Sequence, residues 1–123
     1  MAHIINLKTF TDERGNLTVI EKVLPFDIKR IFYIYGVNSS VRGNHRHKKT
    51  IQAAICIKGS CIISNDNGVK QEDFVLDEPC KCLILNPEDY HSMHNFQPDT
   101  ILMVLASEHF DVNDYIYEPY PKP

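Results

Sequence analysis

Two short histidine clusters are the groups in this chain best suited to moving protons: Arg42-Gly43-Asn44-His45-Arg46-His47 and Tyr90-His91-Ser92-Met93-His94. Imidazole titrates near pH 6.5 unperturbed, so a positioned histidine takes and returns a proton near neutrality, contributing about 10² to 10⁴ in rate. Spacing decides which of them can act together. Residues two apart on a strand project from one face, so His45 and His47 point the same way, into a shared cavity if that face is inward. Arg46 then points outward. His91 and His94 are three apart and diverge, which sends at least one of them out. His3 and His109 stand alone and read as ordinary structural residues.

The elements that must carry these clusters are short. Runs of β-branched, aromatic and aliphatic residues recur between turn signals: His3 to Lys8, Leu17 to Leu24, Arg30 to Tyr35, Ile51 to Lys58, Cys61 to Asn65, Val69 to Leu76, Lys81 to Asn86, Thr100 to Ala106 and Tyr115 to Tyr117. None is long enough for a helix, and the rhythm is all-β. Asp66-Asn67-Gly68 supplies residues tolerant of positive φ, as a tight hairpin requires. Pro25, Pro79, Pro87 and Pro98 mark strand edges and loops. The tail from 117 to 123, rich in proline, is expected to lie extended on the surface. So many short strands in one chain need a way to remove sheet edges, and a barrel or two-sheet jelly roll does that and binds ligands in its mouth.

Composition sets limits around that picture. A chain of 123 residues is one ordinary domain, and 43% hydrophobic with 24% charged residues is globular. A net charge of -3 with scattered basic residues offers no footprint for nucleic acid or a membrane surface. No run approaches the roughly 18 apolar residues of a spanning helix, and the first residues lack the apolar core of a signal peptide, so a cytoplasmic protein is expected. Cys56, Cys61, Cys80 and Cys82 sit inside strand-like runs and read as free thiols, ahead of disulfides or a metal site at Cys80 and Cys82.

The stretch Gly43 to Gly59 resembles the first cupin motif: a glycine, His-x-His, an acidic position and a closing glycine. Gln52 stands where metal-binding cupins place a glutamate ligand, and a neutral amide is a poor ligand for a divalent ion. His47 and Gln52 are five apart, so a bend must intervene if both face the cavity. Asn86-Pro87-Glu88-Asp89-Tyr90-His91 resembles the second motif without its usual glycine. Further segments recur in order in one group: Asp12-Glu13-Arg14-Gly15-Asn16-Leu17, Ile28 to Tyr33, Arg42 to His47, Tyr90 to His94, Val104 to Ser107 and Asp114-Tyr115-Ile116. Over nearly its whole length the chain is similar to the TDP-4-oxo-6-deoxy-glucose 3,4-ketoisomerases. Tyr90 departs from the tryptophan of many relatives, and Tyr117 from their arginine.

That resemblance implies a single cupin domain over 1–123, a homodimer exchanging an N-terminal strand (Ile4 to Lys8), and no metal or other cofactor. It implies a carbonyl moved from C4 to C3 of a TDP-linked 4-oxo-6-deoxy hexose in 3-amino sugar biosynthesis. His47 would be the base at C3 and His45 the shuttle between sugar oxygens. Tyr33 and Arg42 are candidates to hydrogen-bond a sugar oxygen as charge develops there. Arg14, Arg30 and Arg42 are candidates for the diphosphate, since guanidinium grips phosphate bidentately. Gln52 is a further substrate contact, and Tyr90 could stack on thymine. Relatives giving the galacto product pair an arginine in Asp-x-Arg-Gly with a histidine in the second cluster, here Arg14 and His91. Other readings are a cupin 3,5-epimerase, a cupin that binds sugar without turnover, and a metal-dependent oxygenase.

Overall fold

Where apolar and polar residues alternate the chain is extended with one face buried, and where the alternation is lost to continuous apolar sequence it is buried on both faces. The structure, a computed structural model, describes residues 1–122. In chain order the strands are β1 (His3–Asn6), β2 (Lys8–Asp12), β3 (Gly15–Val19), β4 (Arg30–Tyr35), β5 (Arg42–His47), β6 (Gln52–Lys58), β7 (Cys61–Asp66), β8 (Gln71–Leu76), β9 (Lys81–Leu85), β10 (Tyr90–His94), β11 (Ile101–Ala106) and β12 (Tyr115–Ile116). A single 3-10 turn, Val112–Asp114, precedes β12, and the described residues contain no α-helix. None is therefore long and apolar enough to cross a membrane.

Two five-stranded antiparallel sheets carry the barrel, in the orders β1-β9-β6-β11-β4 and β12-β5-β10-β7-β8, with β2 and β3 a separate hairpin. Between the two sheets lies one core, Ala54, Cys56, Leu83, Leu85, Leu102 and Val104 from the first against Cys61, Ile63, Leu76 and Met93 from the second. Ile63, Leu83 and Leu102 are fully buried, each contributing about 1.5–3 kcal/mol relative to exposure. This is the cupin-type barrel. Ala53, Ile55, Cys82, Ile84 and Leu105 form a second core on the outer face of the first sheet, covered by Leu7, Ile20, Leu24 and Phe26. That covering explains why β6 and β9 read as unbroken apolar runs.

The strand pattern departs from the sequence in instructive places. The run His3 to Lys8 is divided: β1 pairs with β9 of the same chain, His3 opposite Ile84, and β2 leaves to pair with β3. Leu17 to Leu24 is extended only to Val19, because the following residues fold over the outer core. The expected hairpin at Asp66-Asn67-Gly68 is present, closed by a four-residue connection with Gly68 at φ 92° and with Asp66 and Asn67 side chains accepting from the amides of Gly68, Val69 and Lys70. All four cysteines are free, and burial pushes the Cys82 thiol up to about 11. The tail crosses the outside of the second sheet, where the Tyr120 hydroxyl donates to the Glu88 carbonyl and Arg46 sits 4.4 Å over the Tyr120 ring. Pro123 lies outside the described residues.

Candidate active site

The site is built where β5, β10, β12, β4 and β6 bring their inward residues together at one end of the barrel. Loops at that end are tied by backbone hydrogen bonds: His47 N to Pro87 O, Lys48 N to Asp114 O, Lys29 N to Ala106 O and Ser107 N to Ile51 O. On β5, His45 and His47 share the inward face. A bulge controls what precedes them: His91 is opposite His45, but Ser92 is opposite Gly43, so Asn44 is the extra residue, at φ 60°. The bulge changes strand parity and puts Arg42 on the face of its partner Met93.

Three imidazoles meet. Centroid to centroid, His45 is 5.0 Å from His47 and 4.9 Å from His91, and His47 and His91 are 6.2 Å apart. Tyr115 on β12 packs 4.7 Å from both His45 and His47. Nδ1 of His45 is 3.1 Å from the Gly43 carbonyl and Nδ1 of His91 is 3.0 Å from the Asp89 carbonyl. A carbonyl only accepts, so in both rings Nδ1 carries the proton and Nε2 keeps the lone pair. His47 Nδ1 is 2.9 Å from Asp114, and the Nε2 atoms of His47 and His91 are buried without a protein partner.

All three rings are held neutral near pH 7. Burial, reinforced by the neighbouring His47 and opposed by the Gly43 carbonyl, pushes His45 down to about 4. Burial and then His45 push His91 down to about 3. His47 is also lowered by burial, against the hydrogen bond and charge of Asp114, with the Arg30 cation adding to the depression. Burial raises the Asp114 carboxyl, but hydrogen bonds from Thr50, the Lys49 amide and His47 outweigh it and leave the carboxyl below its usual range.

Of the residues anticipated from sequence, His45, His47, His91, Arg30 and Gln52 are brought together. Arg30 is half-buried on β4, its guanidinium 5.1 Å over Phe32 and 5.7 Å over Phe110. Gln52 is buried at the start of β6 with its Oε1 unpaired, after the turn from Lys48 to Ile51. Arg42 is exposed at the start of β5. Three residues lie elsewhere. Tyr33 alternates away from Arg30 and Phe32 onto the outer face of β4, 62% exposed and stacked on Tyr35. Tyr90 points opposite to its neighbour His91, into a cleft with Ser64, Asp66 and Tyr120. Arg14 is at the exposed β2–β3 tip, paired at 2.6 Å with Asp12. His94 also faces out, 2.7 Å from Ser64 Oγ. Sequence reasoning missed Asp114 and Tyr115 as site residues, although Asp114-Tyr115-Ile116 was visible as a motif. Among the described residues no group of three or more His, Cys, Asp or Glu is arranged to hold a metal ion.

The chain is 41% identical over 97% of its length to a TDP-4-oxo-6-deoxy-alpha-D-glucose-3,4-oxoisomerase of Aneurinibacillus thermoaerophilus, 89% of which is covered. It superposes with a TM-score of 0.91 on a 3,4-ketoisomerase from Helicobacter canadensis, at 36% identity over 95% of this chain and 90% of that one. The same TM-score of 0.91 relates it to a histidine-to-asparagine mutant of the 3,4-ketoisomerase QdtA from Thermoanaerobacterium thermosaccharolyticum in complex with TDP-4-keto-6-deoxyglucose, at 38% identity, covering 95% of this chain and 87% of that one. The family model described as FdtA, WxcM-like, C-terminal, matches residues 1–121, and the chain with its histidine-lined barrel belongs to that family.

Proposed function

We propose that this chain is a 3,4-ketoisomerase acting on TDP-4-oxo-6-deoxy-glucose. The observation that carries the reading is the cluster of His45, His47 and His91, neutral imidazoles with lone pairs available in a buried setting beside the Arg30 cation. Such a cluster suits the reaction. A base removes the C3 proton, the C–H electron pair becomes a C3–C4 double bond, and the C4 oxygen is protonated to give an enediol. Loss of the O3 proton then forms the C3 carbonyl and returns the electron pair to C4, which takes up a proton. Hydrogens and electrons are conserved, so no redox partner is consumed. His45 and His47 are assigned the proton transfers, and Arg30 and Arg42 the anionic end of the substrate.

The proposed product is the galacto epimer, because Arg14 and His91 occupy the positions that pair in galacto-forming relatives. In one chain Arg14 is on an exposed hairpin tip, so this reading includes a homodimer whose second subunit brings that hairpin to the site. A cytoplasmic location and metal-free turnover belong to the same proposal. Incubation with TDP-4-oxo-6-deoxy-glucose followed by proton NMR is the test. A C3 ketone with the C4 coupling of the galacto sugar is expected, at a rate unchanged by exhaustive chelation. A gluco coupling pattern would overturn the stereochemistry. Inverted C3 or C5 centres with the ketone still at C4 would make it an epimerase, and binding without conversion a sugar-binding cupin.

A further inference from the structure

We propose that Asp114 is a positioning residue of this site: it holds His47 in the tautomer whose Nδ1 carries the proton and whose Nε2 lone pair is free for chemistry. The carboxylate closes the 3-10 turn before β12, with its side chain only 3% exposed. Its Oδ1 accepts from the Lys49 amide at 2.8 Å and the Lys48 amide at 3.2 Å, and its Oδ2 accepts from the Thr50 hydroxyl. Three donors from the loop between β5 and β6 therefore clamp the group before His47 is considered. An ionised carboxylate offers only acceptors, so the remaining contact, 2.9 Å to His47 Nδ1, must be a donation from the ring. Nε2 is then the unprotonated nitrogen, and it is buried with no protein partner.

The arrangement also distinguishes His47 from its neighbours. His45 and His91 donate to backbone carbonyls, which fix a tautomer but carry no net charge. When His47 takes up a proton, the imidazolium has an anion 2.9 Å away in a poorly solvated site, where charge pairing is strong. Burial of an unpaired carboxylate is costly, so structure alone would not favour an aspartate here. Its four donors make that burial tolerable.

The effect on rate rests on the isomerase reading; the tautomer does not. Asp114→Asn is the variant to make. The amide oxygen can still accept from Lys48 and Lys49, while its NH₂ turns toward His47 and Thr50. Because that NH₂ donates, His47 Nδ1 must accept, and the ring proton moves to Nε2. Long-range ¹H–¹⁵N correlation spectra should show His47 as Nδ1–H in the unaltered protein and Nε2–H in the variant. Turnover should fall on the order of 10²- to 10⁴-fold with KM little changed, the scale seen when a catalytic histidine loses its orienting carboxylate. Nε2–H in the unaltered protein, Nδ1–H retained in the variant, or a variant with unimpaired kcat would each overturn the proposal. The first measurement needs neither a folded variant nor turnover. A failure of the isomerase reading would leave the tautomer result standing and appear only as absent product from the unaltered protein.

Discussion

His45 and His47 share a strand face yet differ in what their Nδ1 atoms touch, a carbonyl in one case and a carboxylate in the other. Asparagine keeps similar bulk and polarity without titrating usefully. His47→Asn is expected to lower turnover by about 10² to 10⁴, with His45→Asn also severely impaired, while both still bind the TDP-sugar. Steady-state rates set beside ligand titrations check this, and near-normal turnover in either variant would contradict the assignment. The depressed histidines also have a stability consequence. Unfolded imidazoles titrate near 6.5, whereas folded His45 and His91 do so at about 4 and about 3. Between these values the unfolded chain binds protons that the folded chain refuses. Their contribution is therefore fully present above about pH 6.5 and is lost as pH falls through those folded values. Thermal unfolding should show Tm falling from about pH 7 to about pH 5, less steeply in His91→Asn. A flat profile in the unaltered protein would mean that the rings are not buried as neutral species.

At the scale of the strand, the bulge in β5 depends on Gly43. Its φ is +90°, and an added Cβ would lie 2.9 Å from the His91 carbonyl oxygen, a backbone atom that cannot swing aside. Gly43→Ala should cost about 1–3 kcal/mol in denaturant unfolding and disturb the pairing of His45 with His91, so activity should fall with stability. Unchanged stability would show that the bulge can be rebuilt without the glycine. The same bulge marks a limit of sequence reading. His-x-His alone placed two imidazoles on one face, because period two survives from His45 to His47, but the parity change at Asn44 has no signature in hydropathy. The face that Tyr33 occupies is not legible in the sequence for a different reason. Both faces of β4 are apolar, Phe32 and Ile34 inward and Ile31, Tyr33 and Tyr35 outward, so alternation cannot say which is the cavity side. Strands β5 and β10 are too polar to register as apolar runs, although they carry the histidines. Asp114 is 67 residues from His47, and a lone aspartate has no periodicity to betray its role.

For the molecule as a whole, the outer face of β4 presents an exposed apolar row. Ile31, Tyr33 and Tyr35 are exposed in a row, Ile57 is exposed on β6 of the same sheet, and Phe10 and Leu17 are exposed on the β2–β3 hairpin. A chain bearing that much apolar surface gains by covering it with a second copy. Sedimentation should give about twice the 14.2 kDa chain mass at micromolar concentration, and Tyr33→Glu with Ile31→Lys should shift the equilibrium toward single chains without touching His45 or His47. A particle of single-chain mass from the unaltered protein would refute the dimer. The order of the strands carries a consequence in time. β1 has no partner until β9 has been made, and His47 has no carboxylate until the ribosome reaches Asp114, near the last of the described strands. At about 5–20 residues per second, the histidines spend several seconds after their own synthesis waiting for the group that completes them. Until β10 and Asp114 have both been made, the two histidines of β5 lack the strand and the carboxylate that hold them in the finished barrel.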